Sequence, residues 1–175
     1  MTYQRFEDLP VWQKAADLYE RTEELLEAPG FKATCGLRDQ LDRASLSVSN
    51  NIAEGFERGT TNELLAFIYI ARGSAGEVRS MLTLKLRRAN KAGWSEDLKS
   101  QISNLRYIAE SCSRQLRGWA DSLQNSEIKG PRHLNAKTRE EGAAKKRAAS
   151  ARKILLSKLP ENHVLVREAR DKGII

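Results

Sequence analysis

Residues 95–123 read SEDLKSQISNLRYIAESCSRQLRGWADSL, and the apolar members Leu98, Ile102, Leu105, Ala109, Cys112, Leu116, Trp119 and Leu123 recur at alternating steps of four and three. That period places one stripe along a single helical face, and Ser95 stands where a helix favours a capping hydroxyl. The same pattern appears three more times. Val11, Ala15, Leu18, Thr22 and Leu25 share a face, between an expected start at Asp8-Leu9-Pro10, with Asp8 as cap, and a stop at Pro29-Gly30. A second segment runs from about Leu37 to Glu57 with Leu41, Ala44, Val48 and Ile52 in register, ending near Gly55 and Gly59. A third opens at Thr60-Thr61-Asn62-Glu63, a capping-box spacing. It carries Leu64, Phe67, Ala71, Ala75, Val78, Leu82 and Ala89, and closes at Ala92-Gly93.

Four amphipathic helices joined by short loops, with no alternating strand pattern, predict an all-α protein: an antiparallel up-down four-helix bundle over residues 1–125. Residues 126–175 read as a basic, partly helical C-terminal extension. It begins with a Gly130-Pro131 break, continues as a helix from about Ala136 to Leu159 and ends in a shorter helix after Pro160. Its stripe of Ala144, Ala148, Ala151, Leu155 and Leu159 is weak, as in a segment that becomes helical on docking.

Charge divides the chain at the same place. Residues 1–125 hold 17 Lys and Arg against 17 Asp and Glu, whereas residues 126–175 hold 13 against 6, so the whole net charge of +7 lies in the extension. Its densest part contains Lys145, Lys146, Arg147, Arg152 and Lys153 among good helix formers, a composition that attracts phosphate by counterion release. Arg87, Arg88 and Lys91 form a second, smaller cluster near the end of the third helix. The cluster in the extension equally suits solubility or an acidic partner, and the smaller one a ring channel or a solvated surface.

The second helix also carries a polar stripe, Gln40, Arg43, Ser47, Asn51, Glu54 and Arg58, and the third contributes Arg72, Ser74 and Glu77 around Gly73 and Gly76. Two glycines within a helix cost about 1 kcal/mol each relative to alanine, so close packing of another backbone is expected there. Pairing of Arg43 or Arg58 with Glu54 or Glu77 across the helix contact would give a half-buried network that fixes register or a subunit interface; a ligand groove is the alternative.

Catalytic patterns are missing from the sequence. It has no glycine-rich phosphate loop, Gly-x-Ser-x-Gly elbow or His-Glu-x-x-His helix, and His133 and His163 both fall outside the bundle segment, which leaves a di-metal carboxylate site without its histidines. No enzyme activity, cofactor or metal is expected. Cys112 falls on an apolar seam and Cys35 in an expected loop; Trp12 and Trp119 read as packing residues, and Trp94 is left free for base stacking. No apolar run approaches the roughly 18 residues of a membrane span, and residues 1–10 lack signal-peptide features, so a cytoplasmic address is expected.

Several blocks carry a resemblance: Phe6-Glu7-Asp8-Leu9-Pro10-Val11-Trp12, Gln40-Leu41-Asp42-Arg43-Ala44-Ser45-Leu46-Ser47-Val48, Asn51-Ile52-Ala53-Glu54-Gly55, Arg58, and Ile70-Ala71-Arg72-Gly73-Ser74. Over about residues 5–123 the chain resembles the bacterial four-helix-bundle family named for proteins encoded in intervening sequences of 23S rRNA genes. The resemblance implies an up-down bundle assembled as a ring-shaped homo-oligomer, commonly a pentamer. It also implies kinship with the accessory variability proteins of diversity-generating retroelements, which bind a reverse transcriptase and RNA. No catalytic residue carries over. The leading expectation is a non-enzymatic oligomeric protein that binds nucleic acid, RNA rather than DNA, through its basic surface and extension. The alternative is an adaptor or accessory subunit for a reverse transcriptase or another mobile-element enzyme, docked through Ile154, Leu155 and Leu159.

Overall fold

The computed structural model describes residues 3–125, 136–160 and 163–171; the expected Gly130-Pro131 break and His133 lie outside them. The chain divides into two compact units, Met1–Pro131 and Arg132–Ile175. In the first, a short 3-10 turn over Phe6–Asp8 leads into α1 (Pro10–Glu27), α2 (Cys35–Glu57), α3 (Thr61–Ala92) and α4 (Glu96–Gln124). Each helix packs on its neighbour in sequence and α4 packs back on α1, closing an antiparallel up-down four-helix bundle.

The helix ends follow local chemistry. Thr60 Oγ1 accepts from the Glu63 amide at 3.2 Å and donates to Glu63 Oε2 at 2.7 Å, and Ser95 Oγ accepts from the Leu98 amide at 3.3 Å. Gly93, at φ 64°, ends α3 in the left-handed conformation that a side chain disfavours. One expected cap is corrected. Asp8 closes the 3-10 turn and Leu9 is the residue before α1, with no side-chain bond, because Pro10 holds its predecessor extended (φ −72°, ψ 123°). Cys35, expected in a loop, is the first residue of α2, where the Thr34 hydroxyl caps the Leu37 amide at 3.4 Å.

The core is the four seams facing one another. All five positions read on α1 are buried, and Thr22 stays there because its hydroxyl donates to the Leu18 carbonyl at 2.7 Å. Leu18, Leu41, Ile52, Ile68, Leu82, Ile102 and Leu116 are fully buried, each contributing about 1.5–3 kcal/mol of transfer free energy. On α3 the seam takes Ile68 where Phe67 was expected; Phe67 is half-buried at its edge, under the Arg58 guanidinium, 5.0 Å from the ring centroid. On α4, Trp119 and Leu123 are likewise half-buried against the core and Ala120 takes the inner position.

Gly55 has the closest approach. A Cβ built there would sit 2.7 Å from Phe67 Cβ and 3.4 Å from the Leu64 carbonyl oxygen, so the C-terminal turn of α2 meets the start of α3 only with glycine at this position.

The second unit contains α5 (Ala136–Ser157) and α6 (Val164–Asp171). Their small core is Leu156, Val166 and Ala169, with Leu159 packed at its edge. The expected stripe is therefore displaced by one residue: Leu155 is 57% exposed, Ala144, Ala148 and Ala151 are exposed, and Leu156 faces α6.

Candidate nucleic-acid interface

On α5 the side chains of Lys145, Arg147, Arg152 and Lys153 are all exposed; that of Lys146 lies outside the described residues. Helical periodicity puts Lys145, Arg152 and Lys153 on one side, and Arg147, whose Nε donates to the Ala143 carbonyl at 3.4 Å, on the other. Among the described residues none of these four cations has a carboxylate in ion-pair range, so their charge is available to solvent or to a polyanion.

Arg87, Arg88 and Lys91 are exposed at the C-terminal end of α3. The fold brings further residues to Arg88 that the sequence reading passed over. Arg88, Lys32 from the α1–α2 loop, and Gly93, Trp94 and Ser95 from the α3–α4 turn line an open cleft of about 530 Å³. Trp94 packs edge-on to Phe31, centroids 6.0 Å apart at 78°. Lys85 donates to the Lys32 carbonyl at 2.9 Å and lies 5.9 Å over the Phe31 ring. Burial lowers its pKa, and the neighbouring Arg88 charge lowers it further. Lys32 and Lys85 are 53 positions apart, on different elements, so no periodicity within one helix could have connected them.

The polar stripe lies along the outer edge of the α2–α3 contact. Gln40 Nε2 donates to Glu77 Oε2 at 3.3 Å, Arg43 donates to Gln40 Oε1 at 3.3 Å, and the Ser47 and Ser74 hydroxyls meet at 3.0 Å. Asn51 Nδ2 donates to the Ser47 carbonyl at 2.7 Å and to its hydroxyl at 2.9 Å. The expected cross-helix ion pairs are corrected. Arg58 pairs with Glu54 one turn earlier on the same helix, and both are exposed, because the i,i+4 partner is reached more readily than one across the contact. Arg72 is half-buried and, among the described residues, makes no side-chain bond. Gly73 and Gly76 are also corrected: both are exposed on α3, and among the described residues a Cβ at either would meet nothing within 4 Å, so no described backbone packs there.

Cys112 is fully buried, and loss of solvent pushes its thiol pKa up to about 12, which makes it an inert core residue. Among the described residues, no group of His, Cys, Asp and Glu is arranged to hold a metal ion, and no helix is long and apolar enough to cross a membrane.

No curated protein matches the chain. Residues 7–118, more than half its length and confined to the bundle, match the family model described as 23S rRNA-intervening sequence protein, and the chain belongs to that family.

Proposed function

We propose that this member of the 23S rRNA-intervening sequence protein family is a non-enzymatic homo-oligomer that binds nucleic acid, RNA in preference to DNA, through phosphate contacts of its basic surface. The observation that carries this reading is α5, whose Lys145, Arg147, Arg152 and Lys153 are exposed with no ion pair among the described residues. Such a surface binds without reading bases, and its affinity falls as salt rises. The test is filter binding of a single-stranded RNA to the full chain and to a variant with those four residues changed to alanine. If all four contact phosphate, the variant's log–log salt slope is shallower by about 3 and its affinity at low salt falls by more than tenfold. Equal slopes for the two proteins contradict the reading.

Assembly is supported by α3. Gly73 and Gly76 leave a bare strip flanked by Ile70 and Leu84, which are 51% and 58% exposed. A second copy of the chain laid on that strip would bury both side chains and explain why glycine is kept in a long helix.

A second reading has its own observation. Ile154, Leu155, Val164 and Leu165 are 58%, 57%, 66% and 46% exposed in the α5–α6 unit, an apolar content suited to docking on a protein such as a reverse transcriptase. Binding through that surface is insensitive to salt and is lost on Leu155→Asp, whereas phosphate binding keeps most of its strength in that variant.

A further inference from the structure

The cleft at the loop end of the bundle combines features that neither the basic extension nor the family assignment explains. It is about 530 Å³, within the size range of small-ligand sites, and it joins an aromatic ring, two cations and two glycine-bearing turns. Gly30 at φ 87° and Gly93 at φ 64° bend the two loops that form its rim. Trp94, half-buried, packs against Phe31 with the ring planes at 78°, a contact that holds the indole in place at the cleft wall. Lys32 and Arg88 are exposed and, among the described residues, unpaired with any carboxylate, while Lys85 adds a third charge beneath the loop through its bond to the Lys32 carbonyl. The nearby carboxylates of the first turn of α4 are occupied along their own helix, Glu96 by Lys99 at 2.7 Å and Asp97 by Gln101 at 2.8 Å.

We propose that this cleft seats one nucleotide, its base stacked on Trp94 and its phosphate held between Lys32 and Arg88. Stacking serves any base, because every base has a π-face, and the two cations supply the phosphate clamp. The inference deepens the nucleic-acid reading, on which the strand form of the ligand rests, but it uses residues of the bundle alone. A free mononucleotide and a nucleotide within a strand present the same chemistry, and the experiment separates them.

Full-length protein is titrated with AMP and, separately, with a 5′-phosphorylated hexaadenylate, following tryptophan fluorescence and heat. The variants are Trp94→Leu, Trp94→Phe, the surface pair Lys32→Ala with Arg88→Ala, and the four-alanine variant of α5. AMP is expected to quench fluorescence. Its affinity falls about tenfold or more in Trp94→Leu and in the Lys32/Arg88 pair, survives in Trp94→Phe, and is unchanged in the α5 variant. AMP binding with this pattern identifies a free nucleotide as sufficient; the same losses with hexaadenylate alone identify a nucleotide of a strand. If neither probe loses affinity in Trp94→Leu or in the Lys32/Arg88 pair, the cleft is not a nucleotide site. A loss confined to the α5 variant then leaves the phosphate-binding reading standing by itself; failure of hexaadenylate to bind any of the proteins overturns the nucleic-acid reading, and failure of both probes overturns the cleft proposal as well.

Discussion

The bundle and the α5–α6 unit are both helical, yet they are held by different means. Among the described residues the bundle core contains 25 buried apolar side chains, whereas the second unit contains three, Leu156, Val166 and Ala169. In α1–α4 burial of a continuous seam stabilises helices whatever their intrinsic preference, so Gly73 and Gly76 are tolerated within α3. In α5 the balance reverses, with alanine, lysine and arginine supplying propensity and little apolar surface to bury. A helix built in that way keeps its side chains exposed to solvent and its charges unspent.

The largest expected effect breaks the comparison at its strong end. Ile102→Ala removes a fully buried side chain and costs about 2–5 kcal/mol, lowering Tm by roughly 10 °C or more in a thermal melt. Leu156→Ala in the second unit leaves that melt unchanged and instead accelerates amide exchange in α5 and α6, which rest on three residues.

Glycine gives the next contrast. Gly55→Ala places a methyl group 2.7 Å from Phe67 Cβ and costs about 1–3 kcal/mol in the same melt. Gly73→Ala and Gly76→Ala meet open space and each stabilise the isolated bundle by up to about 1 kcal/mol. Lengthened residues on that strip also weaken self-association in sedimentation if a second copy covers it. Thr60→Ala, which removes the hydroxyl capping α3, costs about 1 kcal/mol by chemical denaturation.

The smallest effect is one of pH. Burial pushes the Asp17 carboxyl up, but bonds from Arg21 at 2.6 Å and Lys14 at 3.4 Å outweigh it and hold its pKa below the usual value. A carboxylate depressed in the folded state stabilises above the unfolded pKa, about 4, and that contribution is lost as pH falls through the folded pKa. Denaturation between about pH 5 and 2 is expected to show a slightly shallower loss of stability for Asp17→Asn than for the parent.

The bundle was legible where periodicity and burial coincide. Every seam residue read on α1 and every one from Leu98 to Leu116 on α4 is buried, because a strict three-four spacing leaves a helix one apolar side. The reading failed where two adjacent apolar residues compete for one place: Ile68 enters the core instead of Phe67, and Leu156 instead of Leu155. Within one helix nothing distinguishes such neighbours; the facing helix does. It failed again at Gly73 and Gly76, where a Cβ meets no described neighbour within 4 Å, and it passed over the tight contact at Gly55, which is made with Leu64 and Phe67 of the next helix. The basic residues were legible as charge, but the grouping of Lys32, Arg88 and Trp94 exists only after folding.

The central claim is that the bundle assembles and the second unit supplies the main hold on nucleic acid. Its most direct test is size-exclusion light scattering with absorbance detection on the full chain and on residues 1–125, both loaded with the same single-stranded RNA at low salt. The account predicts oligomers with equal subunit number and most of the RNA carried through the column by the full chain. Equal RNA per subunit on residues 1–125, or a monomeric bundle, would contradict it.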